Sequence, residues 1–321
     1  MIGQARGSGK VAMSDDADTV LATRGRSFYW ARHLLGSRHA ARATRLYRFC
    51  RYVDDLADEA PSPELALQAL DALGTDIAGQ QGTNALVADV LDLMRECAIE
   101  PAIMLELIHG VRSDLGEVRF VDEASLLRYC YRVAGTVGIM MCRVLDVRDD
   151  AALRHAIDLG IGMQLTNICR DVADDAALGR RYLPATLVGP CEPAALLSPG
   201  PTLRPVVTMG VEVLLATAER YYCSGEQGLH YLPSGARAGI LVAARLYRAI
   251  GRRLAHHNHD YWSRRITVST VGKMGLTLQA LSELAVGRSA TGSDIRHDAL
   301  LHAPLAGLPL TVFGSAPEHV G

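Results

Sequence analysis

Lysine is almost absent from this 321-residue chain: only Lys10 and Lys273 occur, and every other strong base is arginine. A coding bias toward arginine accounts for that background. It leaves Lys273 conspicuous, as a compact point charge suited to phosphate. Aromatic residues are scarce at 5%, so Ala, Leu and Val must supply the core, which favours helix. No run approaches the roughly 18 apolar residues of a membrane span. The first eighteen residues lack the apolar stretch of a secretory signal. Seven cysteines, odd in number, scattered and never spaced C-x-x-C, argue against a disulfide framework or a cysteine zinc site. A net charge of −2 argues against a broad nucleic-acid surface. Strand-like alternation, hairpin dipeptides and fixed-period repeats are missing too, so an all-α domain is expected.

Residues 1–18 are polar and Gly/Ser-rich and read as a disordered lead-in. Residues 19–286 read as one helical domain, and 287–321 as a loosely attached tail. A helix from Ala22 to Ala60 is closed by Pro61-Ser62-Pro63. Further helices are expected over 64–79, 84–98 and 101–116. Asp122 or Ser125 is a candidate cap for a helix reaching Leu145, and Asp149 for one running to Asp175. The proline-rich stretch 184–205 reads as a loop with one short helical turn, and helices over 206–224, 234–256 and 268–285 come after it. His256, His257 and His259 point different ways on a helix end, so solvation is a better reading of them than a metal site.

Two acidic segments carry the chemistry. In YRFCRYVDDLADE (47–59), Tyr47, Arg51, Asp54 and Asp58 fall within an arc of about 60° on a helix, opposite Leu46, Phe49 and Val53. Carboxylates at i and i+4 repel, and a hard divalent cation between them relieves that repulsion. In GMQLTNICRDVADD (162–175), Gln164, Asn167, Asp171 and Asp175 form one stripe, continued toward the N-terminus by Gly160 and Ile157. That face grades from carboxylate to apolar. It suits a ligand with an anionic head and a hydrocarbon tail.

These segments, together with SFYWA (27–31), YCYRVAGTVG (129–138) and GRRYLP (179–184), closely resemble the phytoene/squalene synthases from about Ser27 to Lys273. The second acidic motif combined with GRRYLP is the specific part of the match. Asp174 stands where many relatives carry Glu, which retains the carboxylate.

The resemblance implies a single all-helical isoprenoid-synthase bundle around a central cavity, joining prenyl diphosphates head to head with Mg²⁺, or Mn²⁺ in its place. It makes Asp54, Asp58, Asn167, Asp171 and Asp175 the metal-handling set and adds Tyr129 to the catalytic residues. Ser27, Phe28, Arg51, Arg181, Tyr182, Arg265 and Lys273 become diphosphate-binding positions. Tyr47, Val133, Ala134, Gly138, Met163 and Gln164 become the prenyl channel. The wording of YCYRVAGTVG and GRRYLP is most like bacterial phytoene synthases, which act on geranylgeranyl diphosphate without NADPH. The alternative is a farnesyl-based dehydrosqualene, presqualene diphosphate or squalene synthase. A non-catalytic relative serving as an assembly protein would have lost its acidic motifs, and both are complete here. The expected setting is cytoplasmic, with no obligate protein partner. Peripheral contact with the inner face of the membrane is also expected, since an insoluble hydrocarbon must be handed to a desaturase.

Overall fold

A computed structural model describes residues 35–285 and 297–311. Ten helices of eight or more residues occur among them: α1 (Ser37–Asp58), α2 (Pro63–Gly79), α3 (Ala85–Cys97), α4 (Pro101–Ser113), α5 (Glu123–Cys130), α6 (Thr136–Val144), α7 (Asp150–Ala177), α8 (Leu203–Gln227), α9 (Ser234–His256) and α10 (Thr270–Ala285). The described residues contain no strand, only an isolated bridge between Arg119 and Arg181. The first part of the expected 22–60 helix, with Ser27 and Phe28, lies outside the described residues.

Side-chain caps set four of the ten helix starts. Ser62 accepts from the N–H of Leu65 with Pro63 in the first turn, and Asn84 accepts from Leu86 and Val87. Asp122 and Ser125 form a reciprocal capping box, and Asp149 accepts from Ala151. Each such cap contributes about 1 kcal/mol. The stretch 184–205 holds two short turns, Ala185–Val188 and Ala194–Leu197, rather than one.

At 28 residues α7 is about 42 Å long and runs through the middle of the bundle. Its approach to its neighbours requires glycine. A Cβ on Gly160 would lie 2.4 Å from the Ala134 carbonyl oxygen, and one on Gly138 would lie 2.2 Å from that of Ala156. Between α5 and α6 the chain forms a π-helical turn, Tyr131–Gly135, so the expected continuous helix is continuous but widened there. Such insertions re-aim side chains and favour functional sites.

The segment 297–311, expected to be loosely attached, is packed instead. Leu301, Leu305 and Leu308 are buried, and Tyr221 donates to the carbonyl of Leu301 at 2.7 Å. Arg128 reaches the carbonyls of Pro304 and Ala306, and Tyr131 that of Pro309. The mixed polarity that suggested a loose tail is that of a segment with one apolar side, fixed by donors that come from distant helices.

Candidate active site

Asp54 and Asp58 sit on the last turns of α1, Asp54 half-buried and Asp58 exposed. Burial raises the Asp54 carboxyl to about 6, helped by the neighbouring charges of Asp58, Asp55 and Asp114 and opposed by Arg51. On α7, burial raises Asp175 to about 7, with Asp171, Asp114 and Asp174 adding to the rise and Arg180 opposing it. The two motifs therefore share a neighbour, Asp114, which belongs to neither. Burial and crowding with other carboxylates, only partly offset by Arg51 and Arg180, mark this rim as short of positive charge.

Asp114 lies just past the end of α4, where two phenols hold it. Tyr129 donates to its Oδ2 at 2.8 Å and Tyr182 to its Oδ1 at 2.7 Å. Phe120 packs on both rings, with centroids at 5.4 and 5.9 Å. Tyr129 thus comes to the acidic rim through Asp114. Nothing in the sequence spacing pairs residue 114 with 129 and 182, so Asp114 carries no signal of its role along the chain.

The arginines divide differently from expectation. Arg265 reaches Asp171 at 2.9 Å and Asp174 at 3.5 Å. Arg51 pairs with Asp55 one turn away. Arg181 is placed elsewhere: it is buried, and its Nη1 donates to the carbonyls of Leu183 at 2.6 Å and Phe120 at 3.2 Å. Its neighbour Arg180 is the member of GRRYLP whose charge acts on Asp114, Asp58 and Asp175. Arg170, also unanticipated, grips Asp171 through two nitrogens. Lys273 lies half-buried in the first turn of α10.

Below the rim a cavity of about 290 Å³ opens between α6, α7, α8 and α9. Val133, Ala134, Gly138, Met163 and Gln164, all expected in a channel, line it. Val133 and Ala134 belong to the π turn. Tyr47 is outside the lining but lies close to Arg51, Asp54 and Tyr247, and Tyr247 is in the lining. Asn167 stands where the cavity meets the acids. Its Oδ1 is buried and has no hydrogen-bond partner among the described residues. An orphaned oxygen acceptor beside raised carboxyls is the donor set a hard oxygen-seeking cation takes, so the residues fit Mg²⁺.

The Squalene/phytoene synthase family model matches residues 21–271. The chain belongs to this family. A phytoene synthase of Pseudescherichia vulneris is 34% identical over 83% of this chain and 90% of its own length. A 15-cis-phytoene synthase of Paracoccus sp. is 38% identical over 72% of this chain and 78% of its own. A crystal structure of a dehydrosqualene synthase in complex with ligand is similar with a TM-score of 0.75 and 26% identity, covering 84% of this chain and 96% of the other. A family member with this acidic rim and apolar cavity is an enzyme, a prenyltransferase, built as an all-α bundle.

Proposed function

We propose that this family member joins two geranylgeranyl diphosphates head to head into phytoene, by way of a cyclopropylcarbinyl (prephytoene) diphosphate. The observation that carries the reading is the single face of α7. It runs from Asp175 and Asp171 through Asn167 to Gln164, Met163 and Gly160 on the cavity wall. A diphosphate at the acidic end would leave its prenyl chain in the apolar end.

Asp54, Asp58, Asn167, Asp171 and Asp175 would hold Mg²⁺, or Mn²⁺, which when bound supplies Lewis-acid stabilisation of a leaving diphosphate. The chain's own part is electrostatic. Arg51, Arg180 and Arg265 offer guanidinium donors to diphosphate oxygens, and charge-assisted pairs of this kind are the strong ones. Tyr129 and Tyr182 fix Asp114 and hold that side of the rim in place. The walls formed by Val133, Ala134 and Met163 keep water from an allylic cation. Ionisation, attack by the second double bond, a second ionisation with rearrangement, and proton loss need no reductant, so NADPH takes no part.

The likeness to a dehydrosqualene synthase supports a second reading, with farnesyl diphosphate as substrate. No helix among the described residues is long and apolar enough to cross a membrane. On the first reading the enzyme works in the cytoplasm and meets the membrane peripherally, because its hydrocarbon product is insoluble in water and must pass to a desaturase. The test is incubation of purified protein with Mg²⁺ and each diphosphate, without NADPH, with products identified by chromatography and mass spectrometry. A forty-carbon hydrocarbon from the twenty-carbon substrate is expected. A thirty-carbon product from farnesyl diphosphate alone would transfer the assignment to the second reading, and silence with both would refute catalysis of either kind.

A further inference from the structure

Asp158 lies on α7, 13 residues before Asp171 and so about 20 Å away along the helix. It is fully buried. Burial alone would push its carboxyl up, yet hydrogen bonds from His297, His302 and Ser224 more than offset this and hold it below the usual range. It is an ionised carboxylate in the core, and it is met by two imidazoles and a hydroxyl rather than by a guanidinium. A buried charge of this kind calls for a compensating cation.

The imidazoles are arranged for one. His297 Nε2 stands 2.8 Å from Asp158 Oδ2, and His302 Nε2 stands 2.9 Å from Oδ1. The two rings meet edge to face with centroids 4.5 Å apart. One ligand atom from each of Asp158, His297 and His302 lies within 4.8 Å of the others. Ligands of a tetrahedral zinc ion at about 2.0–2.2 Å stand roughly 3.3–3.6 Å from one another, so shifts of up to about an ångström would bring three ligand atoms onto one ion and leave its fourth position open. The spacing His-x4-His falls within the H-x3–5-H range of zinc sites.

We propose that Asp158, His297 and His302 bind a divalent transition ion of the zinc class, separate from the Mg²⁺ of the acidic motifs. Nitrogen-rich donors select Zn²⁺ over Mg²⁺, which takes oxygen. The ion takes the place of the Nε2 hydrogens, leaving each imidazole as its Nδ1–H tautomer, and Ser224 Oγ stands beside the carboxylate as a further oxygen donor. Bound there, it cross-links the segment 297–311 to the central helix. The effect extends to the cavity: Ser224 also holds His155, whose Nδ1 is 2.8 Å from the Ser224 carbonyl, and His155 is part of the cavity lining.

The test uses the full chain, purified without a histidine tag and stripped by chelator. Zn²⁺ and Co²⁺ are added separately; metal content, thermal midpoint and the Co²⁺ visible spectrum are measured. Stoichiometric binding with an intense, nitrogen-ligated Co²⁺ spectrum is expected. At metal 100 times the dissociation constant, the folded-to-unfolded ratio should rise roughly 100-fold. His302→Gln keeps a donor for Asp158 but should weaken binding at least tenfold, whereas Asp171→Ala should leave it unchanged. Absence of bound metal in the wild type would overturn the proposal and leave a hydrogen-bonded clasp. Binding lost in Asp171→Ala but kept in His302→Gln would overturn it too, by placing the ion in the acidic motifs.

Discussion

Replacing Asp175 with Asn should stabilise the metal-free protein. Burial and surrounding carboxylates raise this group from 3.8 to about 7, which corresponds to about 4 kcal/mol against its ionised form at 1.36 kcal/mol per pH unit. The rim is partly open to solvent and screened, so a net gain of about 1–2 kcal/mol is a fairer expectation for the amide. The sign depends on pH. Because the folded-state value lies above the unfolded one, the native state is undisturbed below about pH 4. The penalty grows as pH rises from there and is complete above about 7. Denaturant unfolding in chelator at pH 8 should therefore favour Asp175→Asn, and at pH 4 the two proteins should coincide. With Mg²⁺ and inorganic pyrophosphate the order should reverse, since the wild type gains a ligand that the variant binds poorly. If the variant is less stable than wild type in chelator at pH 8, Asp175 is held by a partner within the protein, and the rim is not a site in want of a cation.

Asp54→Ala and Asp171→Ala should each abolish turnover while circular dichroism keeps the wild-type helical signal; retained activity would remove these residues from the catalytic set. Mg²⁺ affinity, measured by calorimetry, should fall about tenfold per pH unit below about 7, where Asp175 must release a proton, and more steeply below about 6, where Asp54 must do so too. Arg180→Ala should lower kcat about 100-fold with a near-normal melting temperature. Arg181→Ala should instead cost about 1–3 kcal/mol of stability, since it takes the donor from the buried carbonyl of Leu183, whereas that of Phe120 still accepts from Ala185; the opposite pattern would return Arg181 to the diphosphate. Gly160→Ala should destabilise by about 1–3 kcal/mol in thermal unfolding, its methyl lying 2.4 Å from the Ala134 carbonyl oxygen.

Features set by near neighbours along the chain were legible in the sequence. Helical spacing put Asp54 with Asp58, and Asn167 with Asp171 and Asp175. Asp122 and Asp149 announced helix starts because a cap acts within three residues. Small and apolar residues at one end of α7 and carboxylates at the other foretold a ligand with two ends. Tertiary contact decided the rest. Asp114 joined the rim only because α4 ends beside two tyrosines that are 15 and 68 residues away. The choice between Arg180 and Arg181 turned on which side chain the loop's own carbonyls captured, and neighbouring arginines look alike in a sequence. Segment 297–311 passed for a tail because its partners, Asp158, Tyr221 and Arg128, lie on other helices. Periodicity reports which residues share a helix face. The partner that face meets is set by packing between elements far apart in the chain.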